Sequence, residues 1–170
     1  MIQNHIHQFK KRLETNNGCT EIIIPGGDSV NVRSHFNPPA AKQDIQRLTN
    51  YFSSQFPNDY LQFLECCNGA SLFEDLQYGG ENILYSVEQV IFLNDISRQQ
   101  NQITVANILD DRIVIDLNLW RKGEDHYLLL CESQNPVEIS GKFFCDFETW
   151  LERFIIAQGN KYWYWKTERK

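Results

Sequence analysis

Phe56-Pro57-Asn58-Asp59-Tyr60-Leu61-Gln62-Phe63-Leu64, followed by Cys67-Asn68-Gly69, is the stretch whose reading decides the fold. Pro57 has a fixed φ and no amide hydrogen, which suits the start of a helix. Asn58 or Asp59 then places an accepting side chain among the exposed amides of the first turn. Tyr60, Phe63, Leu64 and Cys67 follow the i, i+3, i+4, i+7 spacing of one buried stripe. Asn68 and Gly69 end the helix, because glycine adopts the left-handed conformation of a helix terminus without steric cost. Before this stretch, Pro38 and Pro39 lead into a second short helix with Ile45, Leu48 and Phe52 facing inward. The two helices should therefore meet in a corner at Pro57.

Upstream, Ile2, Ile6, Phe9 and Leu13 recur at helical spacing until Asn16, Asn17 and Gly18 supply a stop. Residues 20–24 read as a short strand ended by Pro25, Gly26 and Gly27, with 30–33 as its hairpin partner and 35–39 as loop. Downstream the period becomes two or continuous, which predicts strands at 70–73, 83–85, 103–108, 112–117, 126–132 and 142–145. Ile113, Ile115 and Leu117 alternate with Arg112, Val114 and Asp116, so that strand should bury one face better than the other. Residues 87–94 fit either a short helix or a turn-rich connection. Asp146 caps a final helix whose stripe is Phe147, Trp150, Leu151, Phe154 and Ile155, and Gly159 ends it. The aromatic run in 161–170 reads as an extra strand stacked back on the domain, with an exposed partner-binding tail as the alternative. These elements imply one α+β domain over 1–170, helices packed around a twisted, mostly antiparallel sheet.

Of the 170 residues 42% are apolar, which suffices for one substantial core. The first residues lack the apolar stretch of a secretory signal, and no run approaches the roughly 20 apolar residues that span a membrane. Five cysteines without a CxxC pair fit reduced thiols in the cytoplasm. Net charge is -6, which argues against direct nucleic-acid binding. The charge is uneven: residues 48–97 hold no Lys or Arg, while Asp59, Glu65, Glu74, Asp75, Glu81, Glu88 and Asp95 make that segment strongly acidic. Such a field suits either solubility or the docking of a basic partner.

Catalytic and metal chemistry find little support. Cys66 and Cys67 are adjacent on a helix, so their side chains point about 100 degrees apart, and a nucleophile would need a histidine whose proximity the sequence does not supply. His5 and His7, at i and i+2 on a helix, do not face one ligand. Gly26-Gly27-Asp28 and Gly79-Gly80-Glu81 lack the lysine and spacing of a phosphate loop and read as turns. Asp110 and Asp111 read as a turn pair or as part of an acidic binding face. No catalytic set, metal site or cofactor is expected.

The Pro57-to-Gly69 stretch also resembles the central signature of the SUKH (Smi1/Knr4-like) superfamily, a Leu-Pro-x-x-Tyr-x-x-Phe-Leu helix start with an Asn-Gly stop. The preceding helix, the strand at 83–85 with Ser86-Val87-Glu88, the run Ile113-Val114-Ile115-Asp116 and the closing helix from Phe147 are similar too, so the likeness covers residues 40–156. Phe56 replaces the usual Leu, and Ala70 stands where a second Gly is common. The resemblance implies a non-enzymatic protein-binding domain, most often a bacterial immunity protein that neutralises a cognate toxin, many of them nucleases, by occlusion. Other branches, Syd-like proteins and cell-wall regulators, imply a regulatory or scaffolding module with an endogenous partner. On the immunity reading the partner is a protein toxin with a basic surface, met by Glu74, Asp75, Glu81, Asp110, Asp111 and Asp116, with Phe73, Tyr78 and Tyr85 as anchoring rings.

Overall fold

The computed structural model describes residues 2–80, 82–97, 100–132 and 135–165. The chain runs α1 (Ile2–Glu14), β1 (Cys19–Ile23), β2 (Ser29–Phe36), α2 (Lys42–Tyr51), α3 (Asn58–Cys66), β3 (Ala70–Asp75), β4 (Asn82–Leu84), α4 (Val87–Ser97), β5 (Gln102–Ile108), β6 (Asp111–Asp116), α5 (Leu117–Arg121), β7 (Leu128–Cys131), β8 (Gly141–Lys142) and α6 (Phe147–Ile156). Short 3-10 turns occupy Val137–Ile139 and Tyr162–Tyr164.

Among the described residues eight strands lie in one antiparallel sheet in sequence order. That order has a geometric consequence, because successive connections must alternate between the two ends of the sheet. The turns after β1, β3, β5 and β7 share one end, here called the hairpin end. The helical crossovers share the other: α2 with α3 after β2, α4 after β4 and α5 after β6. Helices α1, α3 and α6 pack on one another and on one face of the sheet, where Phe9, Tyr60, Phe63, Leu64, Phe147, Trp150 and Phe154 form the core.

The helical end is held by one carboxylate. The first three amides of α6 have no partners within their own helix, and each finds a side chain. Phe147 N–H donates to the Tyr127 hydroxyl (3.1 Å), Glu148 N–H to Asp59 Oδ2 (2.9 Å) and Thr149 N–H to Asp146 Oδ1 (2.7 Å). The Tyr127 hydroxyl lies 2.5 and 2.6 Å from the two Asp59 oxygens. Asp59 also belongs to the first turn of α3, so one negative charge faces the positive ends of two helices. The helix stop is a second junction. Asn68 Oδ1 accepts the first amide of α4 from Val87 (2.8 Å), and Gly69, at φ +89, leaves no room for a Cβ, which would sit 2.7 Å from the Leu84 carbonyl oxygen.

Several expectations are corrected. Strand β6 stops at Asp116, whose carboxylate accepts from Asn118 N–H (2.8 Å) and Leu119 N–H (3.0 Å), so Leu117 opens α5 rather than ending a strand. Both faces of β6 are buried, because Val114 packs with Leu129, Cys131 and Val137 on the side away from the helices. Strand β2 runs through His35 to Phe36 with a bulge near Ser34, where a loop was expected, while of the two readings left open for 87–94 the helix holds. The last strand is two residues long and lies before most of its expected span. The aromatic run does fold back, but as a 3-10 turn and not a strand: the Trp163 ring packs edge-to-face on Phe143 and tilted against Phe154.

Removing the Asp59 carboxylate strands the Tyr127 hydroxyl and the Glu148 amide at once. Asp59→Ala should lower unfolding free energy by about 2–3 kcal/mol, read as a lower urea midpoint at unchanged slope. In a double-mutant cycle with Tyr127→Phe the two losses should fall short of additivity; strict additivity would show that the pair does not act as a unit.

Candidate functional site

At the hairpin end, Asp75 organises the β3–β4 turn. Its carboxylate accepts from Gln77 N–H (2.7 Å) and Tyr78 N–H (3.0 Å), and its carbonyl accepts from Gly79 N–H (2.9 Å). Closing the turn this way pushes Tyr78 outward, 81% exposed, beside the half-exposed Leu76. The neighbouring β5–β6 turn has only Leu109 and Asp110 between the paired residues Ile108 and Asp111, both at positive φ (44° and 74°), the geometry of a type I′ hairpin. The two turns touch, since a Cβ on Gly80 would lie 3.5 Å from Leu109 Cδ2. The β1–β2 turn adjoins on the other side, where Leu76 N–H donates to the Asn31 carbonyl (3.1 Å). Exposed Asp28, Glu74 and Asp110 thus share this end, with the half-buried Asp75 at its margin.

Of the residues expected to contact a partner, Glu74, Asp75, Tyr78 and Asp110 are brought together. Glu74 is exposed and pairs in register with Arg33 of β2. Asp111, Asp116 and Phe73 are corrected. Asp111 is buried and accepts from Lys161 Nζ (3.1 Å) and Trp163 Nε1 (3.1 Å), so it is neutralised inside the chain. Asp116 is at the opposite end of β6 and serves as the cap of α5. Phe73 is in the core at φ +55, its amide donating to Ser34 Oγ (2.9 Å) and its ring stacked on Phe9 at 5.3 Å. A bulky residue in that conformation is unusual; here the β2 bulge opposite and Gly159 beside the ring accommodate it. Tyr85 is half-buried at the far end of β4. Glu81 lies outside the described residues.

The acidic middle segment does not form one face. Asp59 is consumed by the α3–α6 junction, Glu65 is exposed on α3, and Glu88 and Asp95 belong to α4 at the helical end, where Asp95 accepts from the Tyr51 hydroxyl. What sequence reasoning missed at the hairpin end is the arrival of Lys161 and the rings after it. The aromatic run was visible as a pattern, but nothing in a sequence gives its landing place. Tyr164, half exposed there, has its phenol pushed up to about 12 by loss of water and by its hydrogen bond to Asp111.

The thiols behave as packing groups. Burial pushes Cys67 up to about 12, and Cys145 likewise to about 12. Cys66 is also raised by burial, though it remains partly exposed. Among the described residues no group of three His, Cys, Asp or Glu side chains is arranged to hold a metal ion, and no helix is long and apolar enough to cross a membrane. With a pKa near 12, a thiol at pH 8 is thiolate in about one molecule in ten thousand. Cys67 and Cys145 should therefore resist iodoacetamide in the folded protein at pH 8 and react fully in urea, as mass spectrometry of the alkylated peptides would show; prompt native alkylation of Cys67 would contradict this.

Comparison with known proteins adds three findings. A family model described as "SMI1 / KNR4 family (SUKH-1)" matches residues 39–165. The Bacillus subtilis (strain 168) protein YnaB is 29% identical over 130 residues, covering 76% of this chain and 85% of YnaB. YobM of the same strain is 29% identical over 181 aligned positions, 97% of this chain and 94% of YobM. Both relatives are described as uncharacterized. The YobM similarity takes in the N-terminal helix and first hairpin, which precede the family match.

Proposed function

The chain belongs to the SMI1/KNR4 family (SUKH-1), and from that premise we propose that it is an immunity protein that binds a cognate protein toxin and covers its working surface. The observation that carries this reading is the hairpin end itself. Three adjacent turns present Asp28, Glu74, Asp75 and Asp110 around the exposed Leu76 and Tyr78. A rim of carboxylates around an apolar and aromatic centre suits a basic protein surface, because the charges steer the encounter while the rings hold the docked complex. Enzymatic turnover plays no part in this account. Occlusion needs only a stable one-to-one complex whose carboxylates face the basic groups a nuclease uses for its own substrate. Glu81, which lies outside the described residues, is a further candidate contact on the strength of its charge alone, and Tyr85 a peripheral one.

The direct test is co-expression with the product of the reading frame adjacent to this chain's gene. Rescue from that product's toxicity, together with co-purification at one to one, is the expected result. A harmless neighbour, with this chain bound to a resident protein of the same cell, would instead favour the regulatory or scaffolding role. With the complex in hand, Glu74→Lys should slow association severalfold at low salt and flatten its salt dependence, leaving dissociation much less changed. Unaltered association kinetics would remove this turn from the interface.

A further inference from the structure

The binding face described above has a wall that comes from the opposite terminus of the chain. After α6 ends at Ile156, Gln158 and Gly159, both at positive φ, reverse the backbone and send 161–165 across the hairpin end. The sequence there, Lys-Tyr-Trp-Tyr-Trp, divides by side. Trp163 turns inward, its ring 5.4 Å from Phe143 and 6.3 Å from Phe154, and Tyr162 follows it at 6.2 Å from Phe143. Tyr164 and Trp165 turn outward and are 50% and 59% exposed. Large rings left in water at the end of a well-packed chain call for an explanation.

Asp111 fixes their position. Its side chain is only 4% exposed and takes Lys161 Nζ (3.1 Å) and Trp163 Nε1 (3.1 Å). The lysine donates as well to the Leu109 carbonyl at 2.5 Å, in the same turn that carries Asp110. A buried carboxylate without a cation is costly, and the terminal segment supplies that cation. The clasp therefore anchors 161–165 to the β5–β6 turn, beside the surface of Tyr78 and Leu76. Lys161 already lies over the Tyr164 ring at 5.9 Å, so that ring accepts a cation. Trp165 lines a shallow groove with Ile23, Ile24 and Pro25, in the turn that carries Asp28. Exposed Glu132 acts on Tyr164 by its charge, exposed Asp110 belongs to the clasped turn and exposed Asp28 to the turn beside Trp165, while the positive charge of Lys161 is spent on Asp111.

We infer that 161–165 forms part of the partner-binding face, that Asp111 is the residue that positions it, and that Tyr164 and Trp165 receive arginine or lysine side chains of a basic protein partner. Aromatic rings beside carboxylates favour such side chains twice, through the ring face and through charge. The inference rests on the reading of this chain as a binder of a basic protein, and it names a surface that the acidic turns alone do not define. Residues 166–170 lie outside the described part of the chain and carry no weight here.

Two arms test it with the full chain. In the first, binding of the adjacent-frame product is measured by calorimetry for the wild type, for Tyr164→Ala with Trp165→Ala, and for Asp111→Asn. The ring double variant should melt close to the wild type yet lose at least about tenfold in affinity. Asp111→Asn should lose affinity together with hydrogen-exchange protection of the Trp163 indole N–H, a readout that a general loss of stability does not single out. In the second arm a nona-arginine peptide is titrated by NMR, and shifts should concentrate in 109–111 and 161–165 and vanish in the ring variant. Equal affinity of the wild type and the ring variant for the adjacent-frame product overturns the inference and leaves the immunity reading intact. If that product does not bind at all, the immunity reading fails and the peptide decides: shifts at 161–165 uphold this surface, and their absence overturns it.

Discussion

One carboxylate, Asp59, faces the starts of two helices, and the rest of the architecture depends on its being there. The beginnings of α3 and α6 leave amide hydrogens that no helical carbonyl can reach. In water those groups would be solvated, but against the sheet they must be met by the protein. Asp59 takes the Glu148 amide directly and the Phe147 amide through the Tyr127 hydroxyl, and its charge lies where both helix dipoles favour it. Burial, with the neighbouring Asp59 charge, drives the Tyr127 phenol strongly upward, so the hydroxyl remains a donor. With this junction made, the rings of Tyr60, Phe63, Phe147, Trp150 and Phe154 interlock beneath it.

The remaining ends of the sheet are finished by side-chain amides. Asn94 of α4 donates to the Thr104 carbonyl and accepts its amide, filling the place beside β5 that β4 is too short to reach. At the open edge of β1, Ile23 donates to Gln158 Oε1 and accepts from Asn160 Nδ2. An edge treated this way is a poor template for another strand. The opposite end, by contrast, is made of turns held by Asp75 and by the Lys161 clasp, which leave Leu76, Tyr78 and Asp110 exposed. Helices lock one end of the sheet and leave the hairpin end to present charge and rings.

How far the sequence revealed this follows from the range of the forces involved. Pro57, the stripe of Tyr60, Phe63 and Leu64, and the Asn68-Gly69 stop are local signals, and the helices they predict are present. So are the strands whose apolar runs are long. Missing were features that depend on distant partners. Asp111 and Asp116 read as surface acids because aspartate is usually exposed, but one meets a lysine fifty residues away and the other caps a five-residue helix too short to show a period. Phe73 looked like an accessible ring because its left-handed backbone, made possible by a bulge on another strand, leaves no trace in composition. The segment from Leu48 to Ser97 is acidic by count, yet chain order does not say that its charges divide between two ends of a sheet.

The hairpin end therefore combines turns from three parts of the chain with a terminal segment clasped to Asp111, and this convergence underlies the reading of the protein as a binder. Hydrogen–deuterium exchange on the free chain and on its complex with the adjacent-frame product addresses that claim most directly. The account predicts new protection in 74–80, 109–111 and 161–165, with α2 and α4 unchanged. Protection confined to α2 and α4, with 74–80, 109–111 and 161–165 exchanging as in the free protein, would contradict it.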